Sequence, residues 1–294
     1  MGQNLGEPPA VPCCACNAER YHVHFIKDGY PILRCNNCGL GWVDPESVSA
    51  EVVSSIYDSE YFSGGRSDGY ANYAASESVL RHEFQRTVQD IRQRKSGGRL
   101  VEIGCAYGFF LLEACPYFEC SGLELSPAAV EACHLRALDV RQGPADESHI
   151  KPLGEADVVV MLDVIEHLPD PAATLASVWA LLKPGGMLVI TTGDWASLLA
   201  RVMGKRWRLM TPPQHLFYFT ARSLQKLCQR VGFTQFESTA PWKLVPLELI
   251  WYQLRRYLPL PQLPLGGRLA KLGIYINLFD TIRFIAYKPG HAVG

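Results

Sequence analysis

The sequence predicts an α/β fold: a mostly parallel, seven-stranded sheet with helices on both faces, preceded by a small β module. Three observations carry that expectation. From residue 99 onward, short apolar runs alternate with amphipathic stretches, the pattern of a sheet buried on both faces. A turn marked by Gly104 and Gly108 follows the first run, as happens where a strand feeds a helix beside a ligand. Ahead of both, two Cys-x-x-Cys pairs flank a segment rich in β-formers.

The 294 residues divide into three expected parts: a cysteine module over 1–45, a linker with entry helices over 46–98, and the α/β domain over 99–294. Cys13, Cys16, Cys35 and Cys38 have the spacing of two knuckles closing on one tetrahedral ion, and four thiolates suit a structural zinc. Cys14, His22 and His24 are worse-spaced donors and stay outside the set. Between the pairs, RYHVHFIKDGYPILRC reads as two strands around a turn at Asp28-Gly29. The other cysteines, Cys105, Cys115, Cys120, Cys133 and Cys228, lie in apolar segments and read as small buried hydrophobes.

Composition narrows the partners. With 48% apolar and 19% charged residues the chain can bury a large core, and disorder is excluded as its general state. Lys and Arg number 28 against 29 Asp and Glu, a formal charge of -1, so no nucleic-acid partner is expected. The start lacks the charge and apolar run of a secretory signal, and no apolar segment reaches the ~20 residues that span a bilayer. A cytoplasmic protein, monomer or homodimer, is the expectation.

Residues 44–75 interleave Tyr57, Tyr61, Tyr70 and Tyr73 with Ser and Gly, as a linker that doubles as a lid. Residues 76–95 place Val79, Leu80, Phe84, Val88 and Ile91 at helical spacing. In the first strand-turn-helix, Ala106 replaces the middle glycine of a dinucleotide fingerprint. What stands is Glu102-x-Gly104-x-x-x-Gly108 with no Lys or Arg to meet a phosphate, which suits a cationic or zwitterionic ligand. The second strand ends at Glu124, where a carboxylate can accept bonds from both hydroxyls of a ribose.

Five pieces in order, VEIGCAYG, GLELSP, DVVVMLDVIEHLPDP, LKPGGMLVITT and DTIRFIAYKP, make the chain resemble class I S-adenosylmethionine-dependent methyltransferases. With the cysteine pairs and GKRWRLMTPPQHLFYFT, it resembles the zinc-ribbon branch found in bacterial small-molecule and sugar-modifying gene clusters. The resemblance implies a Rossmann-like sheet. It also implies S-adenosyl-L-methionine contacts at Tyr73, Glu102, Gly104, Cys105, Gly108, Glu124, Leu125, Ala145 and Asp163. Members often carry an Asp in the third loop, where this chain has Pro144 and Ala145, and Asp146 is left as a substitute.

Asp163, His167 and His215 are the candidate bases, since all three should sit above the carboxyl edge of the sheet and a base must deprotonate a hydroxyl or amine acceptor. His167 reads equally as a helix-start cap, and His215 with Tyr218 reads as a substrate-side pair or as structural. The stretch Asp163, Glu166, His167 also resembles ubiquinone-biosynthesis O-methyltransferases, where such positions are linked to a divalent ion, but the same Glu-His pair occurs in methyltransferases without a metal, and a second ion there is the lesser expectation. A helical insertion is expected at about 242–279, with Leu247, Ile250, Trp251, Leu254 and Leu258 on one face. It reads as helices packed on the core, as an apolar wall for a hydrophobic substrate, or as a dimer or membrane-surface contact. The expected function is methylation, on O or else C or N, of a small-molecule acceptor, hydrophobic or sugar-containing. The alternatives are an RNA methyltransferase gripping its substrate with the ribbon, and a catalytically silent cofactor-binding scaffold.

Overall fold

The computed structural model describes residues 12–49, 77–247, 250–251 and 272–290. Its main sheet comprises β4 (Arg99–Ile103), β5 (Glu119–Glu124), β6 (Val140–Gln142), β7 (Ala156–Leu162), β8 (Leu182–Gly193), β10 (Thr234–Thr239) and β13 (Thr281–Tyr287). The seven strands lie in the order β10-β13-β8-β7-β4-β5-β6. From β8 to β6 the pairs are parallel, while β13 runs antiparallel to both of its neighbours. Val158, Val159, Val160 and Met161 in β7 are fully buried, as a central strand covered on both faces requires. The expected seven-stranded, mostly parallel, Rossmann-like sheet is therefore present.

The covering helices start and stop on local chemistry. Helix α1 (Glu77–Arg92) buries Val79, Val88 and Ile91, and Arg283 of β13 pins it by pairing with Asp90 and donating to Thr87 Oγ1. Helix α2 (Phe109–Ala114) follows the glycine turn, and α3 (Pro127–His134) is capped by Ser126. The short α4 (Glu147–Ile150) is capped by Asp146, and α5 (Pro171–Leu181) begins with a proline behind the cap Asp170. Helices α6 (Leu198–Met203) and α7 (Ala221–Val231) cover the later strands, α7 opening on a Thr220–Ser223 capping box. Cys115, expected to be buried, is exposed just beyond α2.

The cysteine module forms a second sheet. Strands β1 (Tyr21–Lys27) and β2 (Tyr30–Cys35) are joined by Asp28 and Gly29, both left-handed at φ 51° and 87°, which suits the twist of a tight hairpin. Strand β3 (Gly41–Val43) pairs with β2, and β9 (Phe217–Tyr218) adds a fourth strand from far along the chain. Leu33, Cys35, Leu40 and Trp42 bury into the same apolar cluster as Val159, Met161 and Phe284 of the main sheet. Ribbon and main sheet thus share one core.

One expectation fails at the insertion. Its two ends are not helical: β11 (Lys243–Pro246) and β12 (Gly273–Ile276) pair antiparallel. Ile274, Tyr275 and Ile276 and, opposite them, Val245 are β-branched or aromatic and suit a strand, while the residues at helical spacing begin only at Leu247. Leu247, Ile250 and Trp251 do fall in helix. Leu254 and Leu258 lie outside the described residues, as do Tyr57, Tyr61, Tyr70 and Tyr73 of the expected lid.

At the seam between the sheets, a Cβ added at Gly41 would overlap the Trp195 indole. Gly41→Ala should therefore cost about 1–3 kcal/mol through overpacking. Urea denaturation of both proteins reads this, and an unchanged midpoint would show that Trp195 moves aside freely.

Candidate functional site

The carboxyl edge of β4 and β5 forms a cradle lined by backbone. Gly104 and Gly108 both hold φ at +73°, and a Cβ on Gly104 would sit 2.5 Å from Val164 Cγ2. The backbone there can be approached only because no side chain intervenes. Ala106 between them is left-handed at φ 46°, an uncommon state for a non-glycine residue that concentrates at functional sites. Glu124 is 7% exposed; its two carboxylate oxygens accept from the N–H groups of Ala106 and Ser126, each at 2.8 Å. Each oxygen keeps capacity for a further donor such as a ribose hydroxyl.

Glu102 ends up behind this cradle with Oε2 buried and unpartnered. Burial, then Cys133 and Glu124, push its carboxyl well above the usual range. An orphaned acid beside a positive ligand is a fit, since a cation would relieve both the missing bond and the charge penalty. The Cys105 thiol points toward Gly122, whose added Cβ would fall 2.8 Å from it, so Cys105 can offer a ligand only its backbone. Leu125 is 41% exposed beyond Glu124 and is free to cover a flat ring. In the third loop Ala145 accepts from Thr174 Oγ1 at 2.7 Å. Asp146 caps α4 with one oxygen: its Oδ1 accepts from the N–H of His149 at 3.1 Å and meets His149 Nδ1 at 2.8 Å. Tyr73 lies outside the described residues.

At the end of β7 the chain turns through Asp163, left-handed at φ 54°, into a 3-10 turn over Ile165–His167. Asp163 Oδ2 meets Lys243 Nζ at 3.0 Å and Oδ1 accepts from Thr191 Oγ1 at 3.1 Å. Burial opposes ionisation, but Lys243 and Thr191 together hold the carboxyl below its usual range. An ion-paired carboxylate of this kind is a poor proton acceptor. The metal donor set Asp163, Glu166, His167 is not assembled, because Lys243 occupies the first of them. His215 stands there instead, and ligand atoms of Glu166, His167 and His215 lie within 4.8 Å of one another.

His167 is 8% exposed, and its Nδ1 donates to the Gln214 carbonyl at 2.9 Å, leaving Nε2 to face the cluster. The rings of His167 and His215 meet edge to face at 4.6 Å. Burial, then the neighbouring His167, hold His215 well below the ordinary histidine range, and burial lowers His167 as well. Both imidazoles are neutral at pH 7. Glu166 is 4% exposed with Oε2 unpartnered, and burial reinforced by Asp163 pushes its carboxyl up to about 8. Tyr218 packs behind His215 with ring centroids 6.4 Å apart and is 2% exposed, so it supports the histidine from the core side. Lys243 and Gln214 were not singled out from the sequence; only their contacts across 80 and 47 residues show their part.

The ribbon thiols form a second cluster. Cys13 and Cys38 sulfurs are 3.6 Å apart, as are those of Cys16 and Cys35. Tetrahedral thiolate ligation at ~2.3 Å puts sulfurs about 3.8 Å apart, so the four residues fit a zinc ion. Asn37 and Cys38 direct their backbone N–H groups to Cys35 Sγ at 3.4 and 3.5 Å, which supports a thiolate there.

Residues 75–237 match a family model described as a methyltransferase domain, which begins beyond the cysteine module. A ubiquinone biosynthesis O-methyltransferase from Aromatoleum aromaticum is 26% identical over 155 residues, 48% of this chain and 66% of that one. The chain thus spans just under two thirds of that relative's length. A protein of the same description from Thiobacillus denitrificans is 30% identical over 164 residues, 51% of this chain and 70% of that one. A solved S-adenosylmethionine-dependent methyltransferase from Archaeoglobus fulgidus shares the fold, with a TM-score of 0.52 at 19% identity, over 72% of this chain and 95% of that one. The glycine cradle, the carboxylates beside it and the matched family model agree: this chain belongs to the methyltransferase-domain family, in the class I S-adenosylmethionine-dependent group.

Proposed function

We propose that this protein transfers a methyl group from S-adenosyl-L-methionine to a hydroxyl of a small-molecule acceptor, with His215 as the general base. The observation that carries this reading is the His215 imidazole, half-buried beside His167 and Glu166 at the end of β7. When bound, the cofactor supplies an electrophilic methyl on a sulfonium. The backbone of Gly104–Gly108 and Glu102 would hold its amino-acid end, Glu124 its ribose, and Leu125 and Ala145 its base. His215 takes the proton of the acceptor hydroxyl, and a neutral imidazole is suited to that at physiological pH. His167, fixed by Gln214, keeps the ring of His215 in place. Carbon or nitrogen acceptors would use the same base. We assign a structural zinc to Cys13, Cys16, Cys35 and Cys38, and thiols held in this form belong in the reducing cytoplasm.

Calorimetric titration with S-adenosylhomocysteine, alongside transfer of labelled methyl to a panel of phenols, hydroxy acids and glycosides, tests the cofactor and base together. Gly104→Arg should abolish binding, because its side chain would enter the space against Val164. His215→Ala should keep the affinity and slow transfer by about 10²–10⁴-fold. Binding that survives Gly104→Arg would sink the cofactor assignment, and full transfer by His215→Ala would sink the base.

For zinc, atomic absorption should find one ion per chain, lost in Cys35→Ser together with a lowered Tm. A metal content that Cys35→Ser leaves unchanged would contradict the assignment.

The Glu166 carboxyl generates a pH dependence. Its pKa in the fold, about 8, lies above the ordinary 4.5, so the stability it contributes is full below about pH 4.5 and is lost as pH rises through about 8. Relative to wild type, Glu166→Gln should gain a few kcal/mol between about pH 5 and about pH 9 in denaturation experiments. Parallel curves for the two proteins would mean that Glu166 ionises without penalty.

A further inference from the structure

The segment that carries His215 is anchored at its start by a buried carboxylate. Asp280 stands immediately before β13, and its carbonyl accepts from the N–H of Asp194, the residue after β8, at 2.8 Å. Two strand ends therefore hold it in place, and it is 2% exposed. Its Oδ1 accepts from Arg208 Nη2 and its Oδ2 from Arg208 Nε and Trp207 Nε1, each at 3.0 Å. The planar fork grips both oxygens while the indole N–H takes a further lone pair, which fixes direction as well as distance. A Cβ on Gly193, the last residue of β8, would fall 2.7 Å from Leu209 Cδ1 and 2.9 Å from Trp207 Cη2, so the segment lies directly on bare backbone there. From this anchor, backbone bonds lead to the histidine. Met210 donates its N–H to Trp207 at 2.9 Å, Thr211 to Leu209 at 3.1 Å and His215 to Thr211 at 3.0 Å. Pro212 and Pro213 lie between, and their fixed φ leaves the connection little slack. The Leu209 backbone faces the His215 ring, and the Arg208 charge acts on the same ring.

We propose that Asp280 is a positioning residue for methyl transfer: through Arg208 and Trp207 it sets where the His215 ring points and which ring nitrogen is left to take the acceptor's proton. A histidine serves as base only when one nitrogen is unprotonated and aimed at the acceptor, and the partner of the other nitrogen decides which one that is. Leu209, whose backbone faces the ring, follows directly on Arg208, so the fork on Asp280 sets its place. The arrangement is that of a carboxylate acting on a base through an intermediate residue, with no contact of its own to the acceptor. The proposal rests on the reading of His215 as base and adds the residues that aim it.

Nitrogen NMR of the full chain with isotope-labelled histidine tests it, the His215 ring signals being those missing from His215→Ala. In the wild type they should report one neutral tautomer. Asp280→Asn keeps an acceptor for Trp207 but loses the ion pair, and Arg208→Lys keeps the charge but loses the fork. Both should shift the His215 signals towards a mixture of tautomers, while S-adenosylhomocysteine affinity, read by calorimetry, stays unchanged. A mixture already present in the wild type, or His215 signals that neither variant moves, would overturn the proposal. On the phenol, hydroxy acid or glycoside that accepts methyl, Asp280→Asn should lower kcat about 10–10²-fold at unchanged KM. Added to His215→Ala, it should cost nothing further; a loss that multiplies with that of His215→Ala would equally overturn the role. If the ring signals shift as expected but His215→Ala transfers methyl at the full rate, the clamp on His215 stands and the base reading falls.

Discussion

Val43 donates its backbone N–H to the Leu216 carbonyl at 2.9 Å, and Leu216 donates to that of Glu166 at 2.8 Å. Through these two bonds the last strand of the cysteine module is spliced to the loop at the end of the central strand β7. The position of His215, one residue earlier, follows from them: it is held on one side by the β3–β9 pairing and on the other by the turn that carries His167. Trp195 fills the space under Gly41 and packs against Tyr218 at 5.8 Å, which stops the spliced strand from sliding. A ribbon so built is part of the wall behind His215, and an ion on its four thiols would stiffen that wall. Its core is continuous with that of the main sheet, as expected of an integral layer and not of a tethered recognition module.

The cofactor side relies on the opposite device, backbone left bare. Gly104 and Gly108 take left-handed conformations where any side chain would collide with Val164 or with Leu138. Ala106 and Asp163 adopt the same region despite carrying a Cβ. Both lie at carboxyl ends of parallel strands, where such sheets open a crevice for ligands. The strain at Ala106 is opposed by its N–H bond to Glu124, and that at Asp163 by Thr191 and Lys243.

Much of this was legible in the sequence, and the reasons are specific. The strands of the main sheet announce themselves because a doubly covered strand such as Val158–Met161 must be apolar throughout, and the glycine turn because its backbone admits little else. The cysteine quartet is readable because the ion dictates the spacing. What escaped was long-range pairing. A two-residue strand such as Phe217–Tyr218 leaves no periodic trace, and nothing near Lys243 indicates that it will meet a carboxylate 80 residues away. The insertion misled for a related reason. The helical spacing holds at Leu247, Ile250 and Trp251 but does not reach back to Lys243–Pro246, whose strand partner arrives only at Gly273. That Asp146 caps a helix was equally hidden, because side-chain type does not reveal it.

Lys243 joins these strands of argument, because its charge acts on the proton-transfer cluster as well as on Asp163. The Asp163 carboxylate raises the Glu166 carboxyl, while Lys243 pulls it down. Asp163 also favours the charged forms of His167 and His215, against the burial that keeps them neutral. An ammonium 3.0 Å from Asp163 opposes that negative field at Glu166. Without it, Asp163 would raise the Glu166 carboxyl against less opposition. The insertion that presents Lys243 therefore acts on the Glu166 carboxyl as well as on Asp163.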